Sequence, residues 1–347
     1  MYQRKSRRVG AFMLAVSLCL RLCMFLGLDA KAAALISQAA QSPEFAKWML
    51  FLETGKMTTV TEPPPQQLFV LEILPEEPAE QVPDPPEEEE PPAPPPLAQS
   101  VSVAGGCTYS YDKAALLARP TQMDFSGDGP HVLIVHTHGS EAYTPSPGLS
   151  YAATTAYRTL DTDKSVVAVG TRLAETLEKH GISVIHDTKI NDYPSYNSSY
   201  WNTLRQIEQW KAQYPTLQMV IDVHRDGAQD EQGNALALST HAHGENCARL
   251  MLVVGTDQGG LSHGNWQENL ANALKLQSVL EGANPGLCRP IDLRTERFNQ
   301  HATPGSILVE VGSHGNTLPQ ALASAELLGE GLAVMIETLQ ANGGVLK

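Results

Sequence analysis

The sequence predicts an α/β protein: a three-layer α/β/α sandwich with a mostly parallel mixed sheet, preceded by a membrane anchor and a disordered linker. Three observations lead to this prediction. Apolar strand-like runs alternate with amphipathic helical patterns across residues 107–347, which is typical of helices packed on a parallel sheet. A basic N-terminus precedes a long apolar run. A segment rich in proline and glutamate separates that run from the α/β part.

The N-terminal region has the pattern of a targeting element. Residues 1–8 form a basic tail, and residues 9–28 form an apolar run that is long enough to span a bilayer. Positive charge before such a run predicts that the chain following it is exported. A cleaved signal peptide ending at Leu20 is the alternative. The predicted localisation is the cell membrane, as a single-pass protein with its main domain outside the cytoplasm.

The acidic character of the chain is concentrated in one segment. After a juxtamembrane segment with a helical pattern, residues 29–60, we expect a disordered linker at residues 61–106. Residues 61–100 hold thirteen of the 24 prolines and ten acidic residues, without any lysine or arginine. Such a composition keeps a chain stiff and extended. Of the net charge of −14, only −4 belongs to the rest of the chain. This balance offers no basic face for nucleic acid.

The α/β part, residues 107–347, contains the elements of the predicted sandwich. Strands are predicted at residues 132–135, 183–186, 219–223, 235–239, 250–254 and 307–311, and helices at residues 166–179, 200–213, 265–281 and 317–340. There is no phosphate-binding loop, dinucleotide fingerprint or serine-hydrolase elbow. The five cysteines include no C-x-x-C pair, and a Cys247–Cys288 disulfide is left open.

Polar side chains at two strand ends predict a zinc site. In open α/β sheets, ligands bind beyond the carboxyl ends of the strands. His136, His138 and Glu141 follow the first strand, and His224 follows another. Histidine and carboxylate ligands are typical of catalytic zinc. Either His136 or His138 can bind the metal with Glu141 and His224. His138 is slightly favoured, because it lies further into the loop and pairs with Glu141.

Two acidic residues complete the predicted site. Glu310 lies within an apolar strand, where a carboxylate is costly unless it is paired or used. Next to a metal it would act as general base and then as general acid. Asp226 follows His224 closely and is expected to orient that imidazole or the guanidinium of Arg225.

Five ordered segments resemble one known family, stage II sporulation protein P. They are residues 136–143 (HTHGSEAY), 221–226 (IDVHRD), 265–269 (NWQEN), 297–301 (RFNQH) and 308–317 (LVEVG…GNT). The resemblance covers about residues 130–340 and implies an N-acetylmuramoyl-L-alanine amidase fold with one catalytic zinc ion. It also implies an endopeptidase activity on cross-linked stem peptides. The implied setting is septal wall thinning and engulfment during sporulation, on the mother-cell side. Peptidoglycan, the membrane and stage II sporulation proteins D and M would be the partners.

The resemblance implies a mechanism for the residues already singled out. The metal polarises the amide between N-acetylmuramic acid and L-alanine. Glu310 takes a proton from the attacking water and passes it to the departing amine. Arg225 or Asn299 is expected to orient the stem peptide. Two alternatives remain: a carboxypeptidase-like zinc peptidase, and a peptidoglycan-binding scaffold without catalysis.

Overall fold

The structure is a computed structural model that describes residues 101–346, all within one unit of the chain, Pro83–Lys347. The predicted basic tail, the apolar run at residues 9–28 and the juxtamembrane segment lie outside the described residues. So does most of the predicted linker.

The predicted localisation needs correction. Among residues 101–346, no helix combines the length and the apolar character needed to cross a membrane. The prediction of a single-pass membrane protein is contradicted by this finding, and the segment on which it relied lies outside the described residues.

A seven-stranded mixed sheet forms the centre of the described part. The order across it is β1-β10-β9-β11-β6-β2-β5. Its strands are β1 (Val103–Ala104), β2 (Val132–Val135), β5 (Val184–His186), β6 (Met219–Asp226), β9 (Leu250–Gly255), β10 (Ile291–Arg294) and β11 (Ile307–Ser313). Two small two-stranded sheets pair β3 (Ala153–Thr155) with β4 (Arg158–Thr159), and β7 (Ser239–Ala242) with β8 (Glu245–Ala248).

The central sheet consists of two parallel blocks. Strands β11, β6, β2 and β5 run in one direction, and β9, β10 and β1 run in the other. The blocks meet where β11 pairs with β9, and this pairing is antiparallel. Five of the six strand pairings are therefore parallel, which confirms the predicted mostly parallel mixed sheet.

Helices pack on both faces of the sheet. They are α1 (Lys113–Ala118), α2 (Val166–Lys179), α3 (Ser199–Gln213), α4 (Trp266–Ala283) and α5 (Leu318–Ala341). Side chains alternate along each strand. In β2, Val132 and Ile134 face the core shared with α2, α4 and α5, whereas Leu133 and Val135 face a smaller core closed by Ile207 of α3. This arrangement gives the three layers of the sandwich.

The four long helices end within two residues of their predicted bounds, but several strands differ. Ala235 forms only an isolated bridge with Gln229 instead of a strand. The β7–β8 hairpin follows instead, around His243 and Gly244, whose φ angles are 49° and 81°. Two successive positive φ values are what a tight hairpin turn requires.

The domain also begins earlier than the sequence indicated. Val103–Ala104, inside the predicted linker, pairs with β10 as an edge strand. Cys107, Cys247 and Cys288 are all free, so the disulfide left open does not form.

Candidate metal centre

Three neighbouring parallel strands bring the predicted site residues together. Strand β2 ends at Val135, which is in register with Asp222 of β6, and His224 of β6 is in register with Glu310 of β11. Side chains in register on adjacent strands point to the same face of a sheet. His224 and Glu310 therefore share a face at this carboxyl edge, next to the loop that leaves β2.

His138, Glu141 and His224 form a compact buried group. One nitrogen or oxygen atom from each residue lies within 4.8 Å of the other two. The Nδ1 atom of His138 lies 3.6 Å from Glu141 Oε1, and the Nδ1 atom of His224 lies 3.4 Å from Glu141 Oε2. The two imidazole rings are 5.0 Å apart between centroids and nearly perpendicular.

A second carboxylate lies behind His224. The Nε2 atom of His224 is 3.0 Å from Oδ1 of Asp222. Asp222 is fixed in turn by Thr137, whose backbone N–H and hydroxyl both donate to its carboxylate. Because Nε2 of His224 faces Asp222, its Nδ1 is the atom free to bind a metal. A carboxylate behind a ligating histidine is a common device for fixing ring orientation and tautomer.

Neighbouring charges shift the pKa values of His224 and Glu141 strongly. Burial alone would lower the pKa of His224, but the carboxylates of Asp222 and Glu141 hold that pKa well above its ordinary value. Burial would raise the pKa of Glu141, yet a hydrogen bond to His224 and the charge of Arg225 lower it to about 2. The carboxylate of Glu141 is therefore ionised at neutral pH, as a metal ligand must be.

The pKa of Glu310 is shifted in the opposite direction to that of Glu141. Burial raises the pKa of Glu310 to about 8, and the charge of Glu141 adds to the rise while His224 opposes it. Its Oε2 atom is shielded from solvent and has no hydrogen-bond partner among the described residues. A buried carboxyl group with a raised pKa and an oxygen atom without a hydrogen-bond partner is suited to exchange a proton with a neighbouring molecule.

His136 lies outside the group of three. Its Nδ1 atom is 3.3 Å from the carbonyl oxygen of Val223, and its Nε2 atom is 2.9 Å from Nε2 of His186. A carbonyl can only accept, so Nδ1 of His136 carries the proton and His186 donates to Nε2. Burial, with a contribution from His186, lowers the pKa of His136 to about 3. Both ring nitrogens are thus used, which leaves His138 as the histidine of this loop available to a metal.

Two predicted site residues, Arg225 and Asn299, make contacts that position loops. Arg225 donates from Nε to Ala142 O and from Nη2 to Tyr157 O, both at 3.1 Å. Asn299 donates to the carbonyl oxygen of Tyr200 at 2.8 Å. The predicted contacts of Arg225 and Asn299 with substrate stay predictions.

Asp226 does not lie beside the imidazole of His224, which is one of the two groups it was expected to orient. Its carboxylate pairs with Arg289, with Nη1 to Oδ2 at 2.6 Å. Its side chain follows His224 by two residues along the strand, but Asp222, two residues before, is the one beside the imidazole. The structure therefore gives the orienting position to Asp222.

The loop after β2 carries His138 and Glu141, and we call it the metal loop. Sequence reasoning missed the residues that hold this loop in place and line its outer side. Asp192 accepts hydrogen bonds from the backbone and hydroxyl of Ser140 and from Arg158. The ring of His138 stacks on Tyr196, with centroids 4.5 Å apart, and meets the edge of Tyr200 at 5.6 Å. Only the unusual aromatic density of residues 193–201 could have indicated this wall from sequence.

The residues present fit a zinc ion. His, Glu and His are ligand types that catalytic zinc uses, together with an open position. The Nε2 atoms of His138 and His224 are both buried without a hydrogen bond of good geometry among the described residues, and burial lowers the pKa of His138 to about 4. A neutral imidazole with an unused nitrogen atom is what a metal requires. Among residues 101–346, this is the one group of three or more histidine, cysteine or acidic residues close enough to hold an ion.

The fold and the site together define a class: a mixed α/β domain with a buried His–Glu–His metal-binding group at the carboxyl edge of its sheet. A family model described as stage II sporulation protein P matches residues 72–333. The chain belongs to this family, as the resemblance had indicated.

Comparisons with single proteins agree with this assignment. The chain is 27% identical over 220 residues to stage II sporulation protein P of Bacillus subtilis (strain 168), a match that covers 59% of this chain and 52% of the relative. The match therefore spans about half the length of that relative.

Several solved structures share a weaker likeness. The N-acetylmuramoyl-L-alanine amidase AmiC2 of Nostoc punctiforme is 14% identical, with a TM-score of 0.35, and the match covers 62% of this chain and 100% of that chain. The CwlD amidase of Clostridioides difficile, in complex with the GerS lipoprotein, is 15% identical, with a TM-score of 0.33, covering 61% of this chain and 98% of that chain.

Proposed function

We propose that this protein is a zinc-dependent peptidoglycan hydrolase of sporulation that cleaves the amide between N-acetylmuramic acid and L-alanine. The observation that carries the proposal is the convergence of His138, Glu141 and His224 on one buried group, with Glu310 in register with His224 on the adjacent strand. Membership in the stage II sporulation protein P family supports the biological setting.

The proposed chemistry is hydrolysis of an amide with one general acid–base residue. His138, Glu141 and His224 would hold one zinc ion, which supplies Lewis-acid polarisation of the scissile carbonyl and a lowered pKa for the attacking water. Glu310 takes the proton of that water through its unpartnered oxygen atom and returns it to the departing amine. Asp222 fixes the orientation of His224 throughout.

Tyr200, whose ring edge meets His138, supplies a hydrogen-bond donor next to the group that would hold the metal. Burial, together with the charges of Asp222 and Glu310, raises the pKa of Tyr200 well above its ordinary value. The phenol therefore keeps its proton at every working pH. A neutral donor in a largely buried site can stabilise negative charge as it develops on a carbonyl oxygen.

The resemblance to the family supports three further proposals. The same site would act as an endopeptidase on cross-linked stem peptides, and the reaction would thin the septal wall during engulfment. Stage II sporulation proteins D and M would be the protein partners. Co-purification of this chain with each of them, produced separately, tests the partner proposal; two partners that both elute apart from the chain contradict it.

The central test replaces Glu310 by Gln in the full chain. The carboxamide has nearly the same shape but cannot accept the water proton, so we expect zinc content near one per chain and activity reduced by at least about 10²-fold. Activity is measured as release of free glycan strands and intact stem peptides from purified peptidoglycan. The matched control is Glu337→Gln, at an exposed glutamate of α5, which should keep full activity.

The possible outcomes separate the proposal from its alternatives. Full activity in Glu310→Gln removes the assigned base. Release of single amino acids without free glycan strands favours a carboxypeptidase-like enzyme. A wild-type chain that binds no zinc and releases nothing after zinc is added favours a peptidoglycan-binding scaffold.

A further inference from the structure

An exposed group of aromatic side chains lies on the segment that follows β5. Tyr193, Tyr196 and Trp201 are exposed by 55%, 53% and 64% of their surfaces. We call these three residues the aromatic platform. Exposing large apolar rings costs free energy in water, and exposed apolar surface near a candidate site commonly marks a binding surface. Tyr193 and Trp201 have no role in the mechanism proposed above.

The aromatic platform adjoins the candidate metal centre. The Tyr196 ring is stacked on His138, with ring planes inclined by 16° and centroids 4.5 Å apart. Trp201 comes directly after Tyr200, whose ring edge meets the same histidine. A molecule that lies on the exposed part of the Tyr196 ring is therefore next to a histidine of the group that would hold the metal.

The segment that carries the aromatic platform is fixed in place by buried polar residues. Before it, Asn191 donates to the carbonyl oxygen of His136, and Asp192 binds Ser140 of the metal loop. After it, Asn202 donates back to the carbonyl oxygen of Asn191. The backbone that carries the rings is therefore held in place, which reduces the conformational entropy lost when a ligand binds.

The composition of this segment indicates the chemistry of its ligand. Residues 193–204 read YPSYNSSYWNTL and contain no charged residue. Four aromatic rings alternate with hydroxyl and amide side chains. Flat apolar faces with neutral hydrogen-bonding groups between them match a sugar, whose ring has an apolar C–H face and a rim of hydroxyl and amide groups. A charged stem peptide would require charged partners, and the segment itself holds none. The guanidinium of Arg158 lies 5.0 Å from the centre of the Tyr196 ring, but it is already paired with Asp192 and Glu141.

We propose that the aromatic platform binds the glycan strand of peptidoglycan, with Tyr193 and Trp201 stacking on the faces of its sugar rings. This proposal rests on the proposed function, since it names the part of the substrate that lies beside the metal centre. The glycan on the platform and the stem peptide beyond it would place the linking amide at the group formed by His138, Glu141 and His224.

The test measures binding separately from catalysis. The full chain with Glu310→Gln, which blocks turnover, is compared with the same chain carrying also Trp201→Ala or Tyr193→Ala. The probes are glycan strands freed of stem peptides and, separately, free stem peptides. We expect each alanine variant to bind glycan strands about tenfold more weakly, since one stacked ring contributes on the order of 1.4 kcal/mol, and to bind stem peptides unchanged.

The control is Val334→Ala, which removes an exposed apolar side chain of α5 with 47% of its surface exposed. It should bind both probes as the parent does. Equal loss for both probes in the Trp201→Ala and Tyr193→Ala variants, or unchanged glycan binding in both, overturns the platform proposal. Zinc content and amide cleavage by the chain with native Glu310 report on the proposed function independently, so failure of one is distinguishable from failure of the other.

Discussion

At the scale of single residues, the most consequential contact is that between Asp222 and His224. The carboxylate lies 3.0 Å from Nε2 of the imidazole and is held from behind by Thr137. It fixes the ring so that Nδ1 points toward Glu141. A ligand in a fixed orientation loses less entropy on binding a metal than a free one, so we expect Asp222 to contribute to metal affinity through His224.

Replacing Asp222 by Asn should weaken zinc binding by about 10–100-fold. The amide keeps the volume of the side chain but loses the charge that raises the pKa and basicity of His224. Zinc affinity is measured by competition with a chromogenic chelator. The control is Asp226→Asn, because Asp226 pairs with Arg289 and lies apart from the imidazole. A larger effect in the control than in Asp222→Asn would return the orienting role to Asp226.

A second residue with an unusual environment is Lys275 of α4. Its side chain is fully buried, and its ammonium group has one weak contact, 3.5 Å from the carbonyl oxygen of Leu116. Burial lowers the pKa of Lys275 to about 8, although Glu268 opposes the shift. At pH 7 the folded protein therefore holds a poorly paired charge in its interior, which lowers its free energy of unfolding.

The variant Lys275→Met should be more stable than the wild type at pH 7, by about 1–3 kcal/mol. The pKa of the unfolded chain is near 10.5, so the unfolded state holds more protons between pH 8 and 10.5, and wild-type stability should rise across that range. The variant should lack this rise. Urea unfolding at pH 7, 8 and 10 measures both effects. Lys179→Met, at an exposed lysine of α2, serves as control; a variant no more stable than wild type contradicts the prediction.

At the scale of elements, helix α2 approaches the sheet at a glycine. A Cβ atom on Gly170 would lie 2.6 Å from Cε1 and Nε2 of His136 and 2.7 Å from Nε2 of His186. The hydrogen-bonded histidine pair fills the space that a side chain would need. Because His136 begins the metal loop, the close packing of α2 on this pair also determines where His138 lies.

Gly170→Ala should therefore destabilise the protein by about 1–3 kcal/mol, although alanine ordinarily favours a helix by nearly 1 kcal/mol. The methyl group must displace either the buried ring of His136 or the half-buried ring of His186. Gly282→Ala in α4 is a matched control, since its Cβ would meet no atom within 4 Å. It should be neutral or stabilising. Chemical denaturation of both variants gives the comparison, and a stabilised Gly170→Ala would mean that the histidine pair moves freely.

At the scale of the whole molecule, the metal centre joins distant parts of the chain. His138 comes from the loop after β2, His224 from β6, and Glu310 from β11. These strands lie side by side only because the central sheet is folded. A metal that binds His138, Glu141 and His224 together therefore binds the folded state in preference to the unfolded chain, and its binding free energy adds to stability.

Removing the metal should consequently lower the melting temperature of the wild-type chain. At a free zinc concentration about 100-fold above the dissociation constant, the stabilisation is about 2.7 kcal/mol. Scanning calorimetry with added zinc and with a chelator measures the difference. Glu141→Gln, which lacks one predicted ligand, should show a much smaller difference. Identical melting of the wild type in both conditions would count against a structural contribution of the metal.

The sequence alone determined the class of fold, the positions of the long helices and the chemical types in the site. Helical periodicity and apolar runs are local properties, so α2 and β2 could be predicted from nearby residues. The same holds for His138, Glu141 and His224 as candidates. Strand β10 and the β7–β8 hairpin were missed, because these strands are only four residues long and contain no continuous apolar run, and the pairing of β10 depends on the distant strands β1 and β9.

Tertiary structure decided which of the two neighbouring histidines is free. Val132, Ile134 and His136 alternate onto the face covered by α2, where His186 and Val223 use both ring nitrogens of His136. His138 lies beyond the strand, on the side of His224. The alternation of side chains along a strand can be predicted from the sequence. Which face of the sheet a helix covers is determined by long-range packing. Only that packing separates the histidine that is available to a metal from the one whose two ring nitrogens are already used.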